Sequence, residues 1–176
     1  MSEHEGDFAT IIDDQARRLF EDMASNSASE AFAPGEIDHA AWQRIEEAGL
    51  PLAMLDEAAG GIGLSPVASF ALINASAYYG LALPIGETML FQVLAGTAHS
   101  GVATFAVTDA PGKASVPFAR HAGHVLVDEN GAWSIHDAAG IECRGALNLA
   151  DEPRDDITLL GEGQRIARPA WLASGG

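Results

Sequence analysis

The period of the apolar pattern changes once along the chain, near Gly101, and that change limits the possible folds more than any other feature. Before it, Phe8, Ile11, Ile12, Leu19, Phe20 and Met23 recur at three-, four- and seven-residue steps, the stripe of an amphipathic helix. After it, VATFAVTD alternates Ala103, Phe105 and Val107 with Thr104, Ala106 and Thr108, which is the period of a strand. The pattern predicts an α+β fold. An N-terminal α-helical bundle occupies residues 1–98 and a small antiparallel β domain residues 99–163, while 164–176 open a C-terminal helix that stops short.

Local punctuation divides the helical part. The first helix ends near Ser25, where NSASEAFAPGE brings Ser, Pro and Gly together. A second runs from about Asp38 to Ala48, and Gly49 follows where a left-handed cap belongs. The LPLAML run after it reads as a short strand-like piece, and Gly60-Gly61-Ile62-Gly63 as a turn. Ser65 and Pro66 make an N-cap and first helical residue for a third helix, which Gly80 ends. A fourth spans Gly86 to Gly96. In the β part, HVLVDENGAWSIHD predicts a hairpin about Asn130-Gly131, and Ile157 to Leu160 a further strand.

Charge and cysteine content exclude several functions. Nine Lys and Arg stand against 25 Asp and Glu, a formal net charge of -16. Such a field repels nucleic-acid phosphates and the anionic face of a membrane. No apolar run approaches the roughly 18 residues of a membrane span, and the acidic N-terminus lacks the layout of a signal peptide. The one cysteine, Cys143, rules out an internal disulfide and fits a reducing compartment, so the expectation is a cytoplasmic protein. Of six histidines only His121 and His124 are close, and in an extended segment their rings point apart. No metal site is expected. Asp151, Asp155 and Asp156 lack calcium-loop spacing, and Cys143 has no activating base near it in sequence.

Three groups of motifs, in this order, carry a family resemblance. The first is Trp42-x-x-Ile45-x-x-x-Gly49-Leu50 with Asp56-Glu57-Ala58-Ala59-Gly60-Gly61 and Gly63 after it. The second is Pro84-Ile85-Gly86-Glu87-Thr88, and the third is the run from Val116-Pro117-Phe118 to Val127. From about Phe8 to Leu172 the chain resembles acyl-CoA dehydrogenases, and in its reduced β part a small subunit of a heteromeric one. In that family the Gly-Gly-x-Gly turn shapes the wall between bundle and β domain.

The resemblance implies FAD-dependent α,β-dehydrogenation of an acyl-CoA thioester, with a carboxylate taking the α-proton. It implies flavin contacts from Phe105, Val107 and Thr108. Departures are evident: Asp109-Ala110 replaces Glu-Pro, Gly112-Lys113-Ala114-Ser115 replaces a Gly-Ser-Asp turn, and the family's Trp-Ile-Thr pattern has no counterpart. No catalytic residue is assigned, because Glu142, Glu152 and Glu162 fall too early to match the family's base. The expected partners are an acyl-CoA substrate and either further copies of the chain or a different dehydrogenase subunit. Two alternatives stand beside this: a non-catalytic subunit keeping the fold for binding or scaffolding, and an unrelated α+β ligand-binding protein. Short fatty, branched, aromatic and sterol side-chain acyl groups are all compatible.

Overall fold

The computed structural model describes residues 3–27, 33–108 and 110–169. Four helices come first: α1 (Glu3–Ser27), α2 (His39–Glu47), α3 (Pro66–Tyr78) and α4 (Ile85–Ala95). Seven strands follow: β1 (Ala103–Val107), β2 (Lys113–Pro117), β3 (His124–Glu129), β4 (Ala132–Asp137), β5 (Ile141–Arg144), β6 (Arg154–Leu159) and β7 (Gln164–Ile166).

The helix ends follow the sequence signals. Asp38 caps α2 by accepting from Ala41 N at 2.9 Å, and Ser65 caps α3 by accepting from Ala68 N. Gly49 and Gly96 take the left-handed conformation that closes the preceding helix. In α1 the stripe is buried only toward its C-terminal end, at Ala16, Phe20 and Met23, while Phe8 and Ile11 are exposed.

The LPLAML run is not a strand. Pro51 cannot supply a ladder N–H, and Leu50–Leu52 forms a 3-10 turn with Leu50 and Pro51 buried. The chain then folds back: Ile62 N donates to Leu52 O and Leu64 N to Ala53 O. The Gly-Gly-x-Gly turn serves this reversal. Gly60 and Gly63 have φ of 91° and 74°, while a Cβ on Gly61 would overlap the carbonyl of Leu55.

The β part is two layers. One sheet has the order β1-β3-β4-β7 and the other β2-β6-β5. Every pair is antiparallel except β1 with β3, which run parallel from Ala103↔His124 to Val107↔Asp128. The β3–β4 hairpin turns at Asn130-Gly131, both with positive φ (55° and 89°), the two-residue turn that matches strand twist. Thr104, Ala106, Val125 and Val127 share one face of the first sheet, and the last three join one core with Ala114, Val116 and Ile157 of the second. The opposite face presents Ala103, Leu126, Trp133 and Ile135 to Phe91 and Leu94 of α4.

Residues 164–166 correct the expectation of a helix beginning at 164. They form β7 and pair with Trp133–Ile135 of β4, because Ile166 packs against the Trp133 cluster and the edge of β4 is open to receive a strand. The remainder of that segment, 170–176, lies outside the described residues.

Candidate functional site

The helical and β parts are joined through α4 by buried polar side chains. Thr88 Oγ1 donates to Ala103 O at 3.0 Å and accepts from Ala103 N at 3.2 Å, closing on both backbone groups of the first residue of β1. One turn later Gln92 does the same for His99, at 2.6 and 2.8 Å. Neither Thr88 nor Gln92 is accessible to water, so these contacts satisfy backbone groups that would otherwise be stranded. They fix β1 relative to α4.

With that register set, α3, α4 and β1 enclose a groove of about 490 Å³. Phe70, Ile73 and Ala77 of α3 form one wall, and Gly86, Glu87 and Leu90 of α4 the other. Phe105 of β1, Phe118 and Glu152 close it on the β side. Ile73 lies at ordinary contact distance from where a Cβ on Gly86 would be, so α3 and α4 approach closely there.

Phe118 is held in an unusual backbone conformation, φ 55° and ψ 21°, and is buried. A bulky side chain costs energy there. Its neighbours hold it: Phe118 N donates to Pro153 O at 3.2 Å and His121 N to Phe118 O at 3.0 Å. Just beyond, Asp155 is fully buried and accepts from Arg120 N (2.8 Å), Nε (2.9 Å) and Nη2 (2.6 Å), and from Ala146 N (3.1 Å). Burial alone would raise the Asp155 carboxyl, but the Arg120 and Ala146 donors outweigh it and hold it below its ordinary value. The same hydrogen bond raises Arg120 further.

The three expected flavin-contacting residues lie at the open end of β1. Phe105 is half-buried in the groove and Val107, two residues on and on the same face, is 67% exposed. Thr108 follows the strand; its N–H donates to Asp128 O at 3.1 Å and its hydroxyl to the same oxygen at 3.4 Å. On the outward face of the second sheet, Lys113 and Arg144 line a separate hollow of about 450 Å³ with Ser115, Asp156 and Thr158. Arg144 is already paired with Asp156.

The histidines go elsewhere. His121 Nε2 donates to Gly35 O at 2.8 Å and His124 Nδ1 meets Asp137 Oδ1 at 2.9 Å. Among the described residues no three His, Cys, Asp or Glu side chains are placed to hold a metal ion. Cys143 is exposed. No helix among the described residues is long and apolar enough to cross a membrane.

Glu87, Thr88 and Phe118 entered the sequence motifs without individual roles, and Gln92 did not enter at all. Thr88 and Gln92 carried a signal: two polar residues four apart on an otherwise apolar helix face. For Phe118 the motif gave no sign of the left-handed backbone, since nothing local marks an aromatic residue for it.

Residues 8–107 match the family described as acyl-CoA dehydrogenase, N-terminal domain. The chain belongs to that family. Among solved structures it is similar to a variant of the Tcur3481-Tcur3483 steroid ACAD, at 22% identity and a TM-score of 0.75, covering 92% of this chain and 57% of that one. The ChsE4-ChsE5 complex from Mycobacterium tuberculosis matches at 14% identity and a TM-score of 0.66, over 94% and 56%. Butyryl-CoA dehydrogenase from Megasphaera elsdenii matches at 12% and 0.58, over 95% and 57%. At these identities the likeness is one of fold. The acyl-CoA dehydrogenase chain thus spans little more than half the length of these relatives. No curated protein matches it in sequence.

Proposed function

We propose that this chain is the flavin- and acyl-holding part of an acyl-CoA dehydrogenase, a partial chain or partner-dependent subunit inactive by itself. The observation that carries this reading is continuity. The outer face of β1 runs from Phe105, inside the groove, to Val107 in the open, so one strand borders both an apolar cavity and a flat apolar step. Phe105 and Val107 would lie against the flavin ring and Thr108 at its edge. FAD, when bound, supplies the hydride acceptor for the β-carbon. The chain's own residues line the acyl group's path with apolar walls, keep water from the reacting carbons and set their position through the Thr88–Ala103 link. No residue of the chain is assigned as the base; in this reading a carboxylate from the C-terminal helical domain takes the α-proton, whichever polypeptide carries it.

Two structural neighbours, the Tcur3481-Tcur3483 steroid ACAD and the ChsE4-ChsE5 complex, are named as paired chains, which supports a heteromeric assembly here; a homo-oligomer would serve the same end. A suitable surface is present. Val67, Phe70 and Tyr78 make a stripe on α3, 81%, 68% and 81% exposed, and an unpartnered stripe of this kind marks an interaction site. The segment from Leu81 to Ile85 contributes less: Leu81 and Leu83 are half-buried and Ile85 is buried.

A second reading, a non-catalytic subunit with the same fold, is favoured by Thr108, whose hydroxyl already donates to Asp128. Titrating FAD into the purified chain, alone and with the subunit that supplies the C-terminal helices, tests both. The proposal expects stoichiometric flavin only in the assembly. A yellow, active chain by itself would overturn the dependence on a partner, and an assembly without flavin would establish the scaffolding role.

A further inference from the structure

Two glutamates line the groove, Glu152 exposed and Glu87 partly buried, and the dehydrogenase chemistry leaves Glu87 unused. It is the third residue of α4, after Ile85 and Gly86, with Pro84 as N-cap. A glutamate at this position ordinarily reaches back to the backbone N–H of the N-cap residue. Proline has no such N–H, so that structural role is closed. Among the described residues no side chain hydrogen-bonds or ion-pairs with its carboxyl. Leu90, Phe105 and Leu83 line the groove with it.

Burial is the main influence on this carboxyl and raises it; Glu152 raises it further, while its own N–H and Arg154 act in the opposite direction. A carboxyl without a side-chain partner in largely apolar surroundings costs stability unless something else satisfies it, and a perturbed acid in a cleft marks a candidate functional site.

We infer that Glu87 is the polar anchor of the groove, and that the groove takes a hydrocarbon group bearing one neutral hydroxyl. A hydroxyl both donates and accepts, so it meets a carboxyl in either protonation state. A ketone meets only the protonated form. An anionic group is repelled by Glu87 together with Glu152, and an ammonium would lose its hydration among aromatic and aliphatic walls. This specifies the acyl group of the proposed function and rests on that reading, but the recognition it describes requires neither flavin nor thioester.

The test therefore uses neutral probes on the whole purified chain. 4-Cyclohexylcyclohexanol and bicyclohexyl, identical but for a hydroxyl, are titrated separately and followed by NMR. The wild-type chain is expected to bind the alcohol about tenfold more tightly, the size of one hydrogen bond to a charged group. Glu87→Gln, which keeps a donor and acceptor, retains most of that preference. Glu87→Leu reduces it to about twofold or less, within the scatter of a surface contact. In the wild-type chain the Glu87 carboxyl resonance shifts with the alcohol and not with the hydrocarbon, a response that a merely structural carboxyl would not give and that needs no variant to fold. Equal binding of the two probes by the wild type, an unmoved Glu87 resonance, or a preference that survives Glu87→Leu would each overturn the inference. None of these outcomes bears on whether the assembled protein is a dehydrogenase, which flavin bleaching decides.

Discussion

Replacing Asp155 with Asn removes the charge from the buried pair that supports the β wall of the groove. In the native chain the carboxylate accepts four hydrogen bonds, three from Arg120 and one from Ala146 N. An amide at the same place keeps one oxygen and turns an NH2 toward the guanidinium. Breaking a buried pair by losing one partner costs about 3–5 kcal/mol; Arg120 is 23% exposed and can recover some hydration, so the loss should lie near the lower figure, about 3 kcal/mol. Out of a stability of roughly 5–15 kcal/mol that is a large share. Urea unfolding at neutral pH measures it as a lower midpoint with an unchanged slope. The pH dependence carries the sign. The folded Asp155 carboxyl lies below its unfolded value of about 3.9, so its contribution is complete above that pH and is lost as pH falls through the folded value. The gap between wild type and Asp155→Asn should therefore close on acidification below about pH 4. A loss under about 1 kcal/mol at neutral pH, the level of an exposed pair, would refute the reasoning.

Other expectations follow from the same geometry. Gly61→Ala places a methyl group on the Leu55 carbonyl and should cost about 1–3 kcal/mol, as overpacking does, seen as a lower melting temperature. Thr88→Val leaves Ala103 N and O unsatisfied in the interior; a loss of about 1–3 kcal/mol is expected, with amide exchange in β1 accelerated before that in β4. Phe70→Glu on the exposed α3 stripe should leave the fold unchanged and shift the sedimentation of the chain toward monomer at physiological salt. A wild-type chain that sediments as a clean monomer, binding no apolar dye, would remove that stripe as an interface.

What could be read from the sequence was whatever local chemistry decides. Ser65-Pro66, Gly49 and Asn130-Gly131 each fix a backbone conformation within a few residues, and each stands where its signal placed it. The outward face of β1 was legible for the same reason, since alternation sorts Phe105 and Val107 from Thr104 and Ala106. Tertiary pairing was not legible. β7 is three residues long and exists because Ile166 finds the Trp133 cluster, a contact between segments about thirty residues apart. β5 has a mostly exposed, mixed sequence, IECR, and is a strand only because β6 offers it an edge. The parallel partnership of β1 and β3 likewise leaves no local trace. In the site, Glu87 entered only as part of the Pro84–Thr88 motif, and it takes the groove formed with Phe105 and Phe118 to show where its carboxyl lies.

The central claim is that the open face of β1 and the groove behind it belong to an acyl-CoA dehydrogenase completed by helices from outside these residues. Anaerobic addition of an acyl-CoA to the assembled, FAD-loaded protein, followed by visible absorbance, tests it most directly. The account predicts that the flavin absorbance bleaches as the α,β-enoyl product forms, and that Phe105→Ala or Val107→Asp weakens flavin retention without unfolding the chain. Flavin that stays oxidised with every class of acyl-CoA, or retention indifferent to both substitutions, would contradict it.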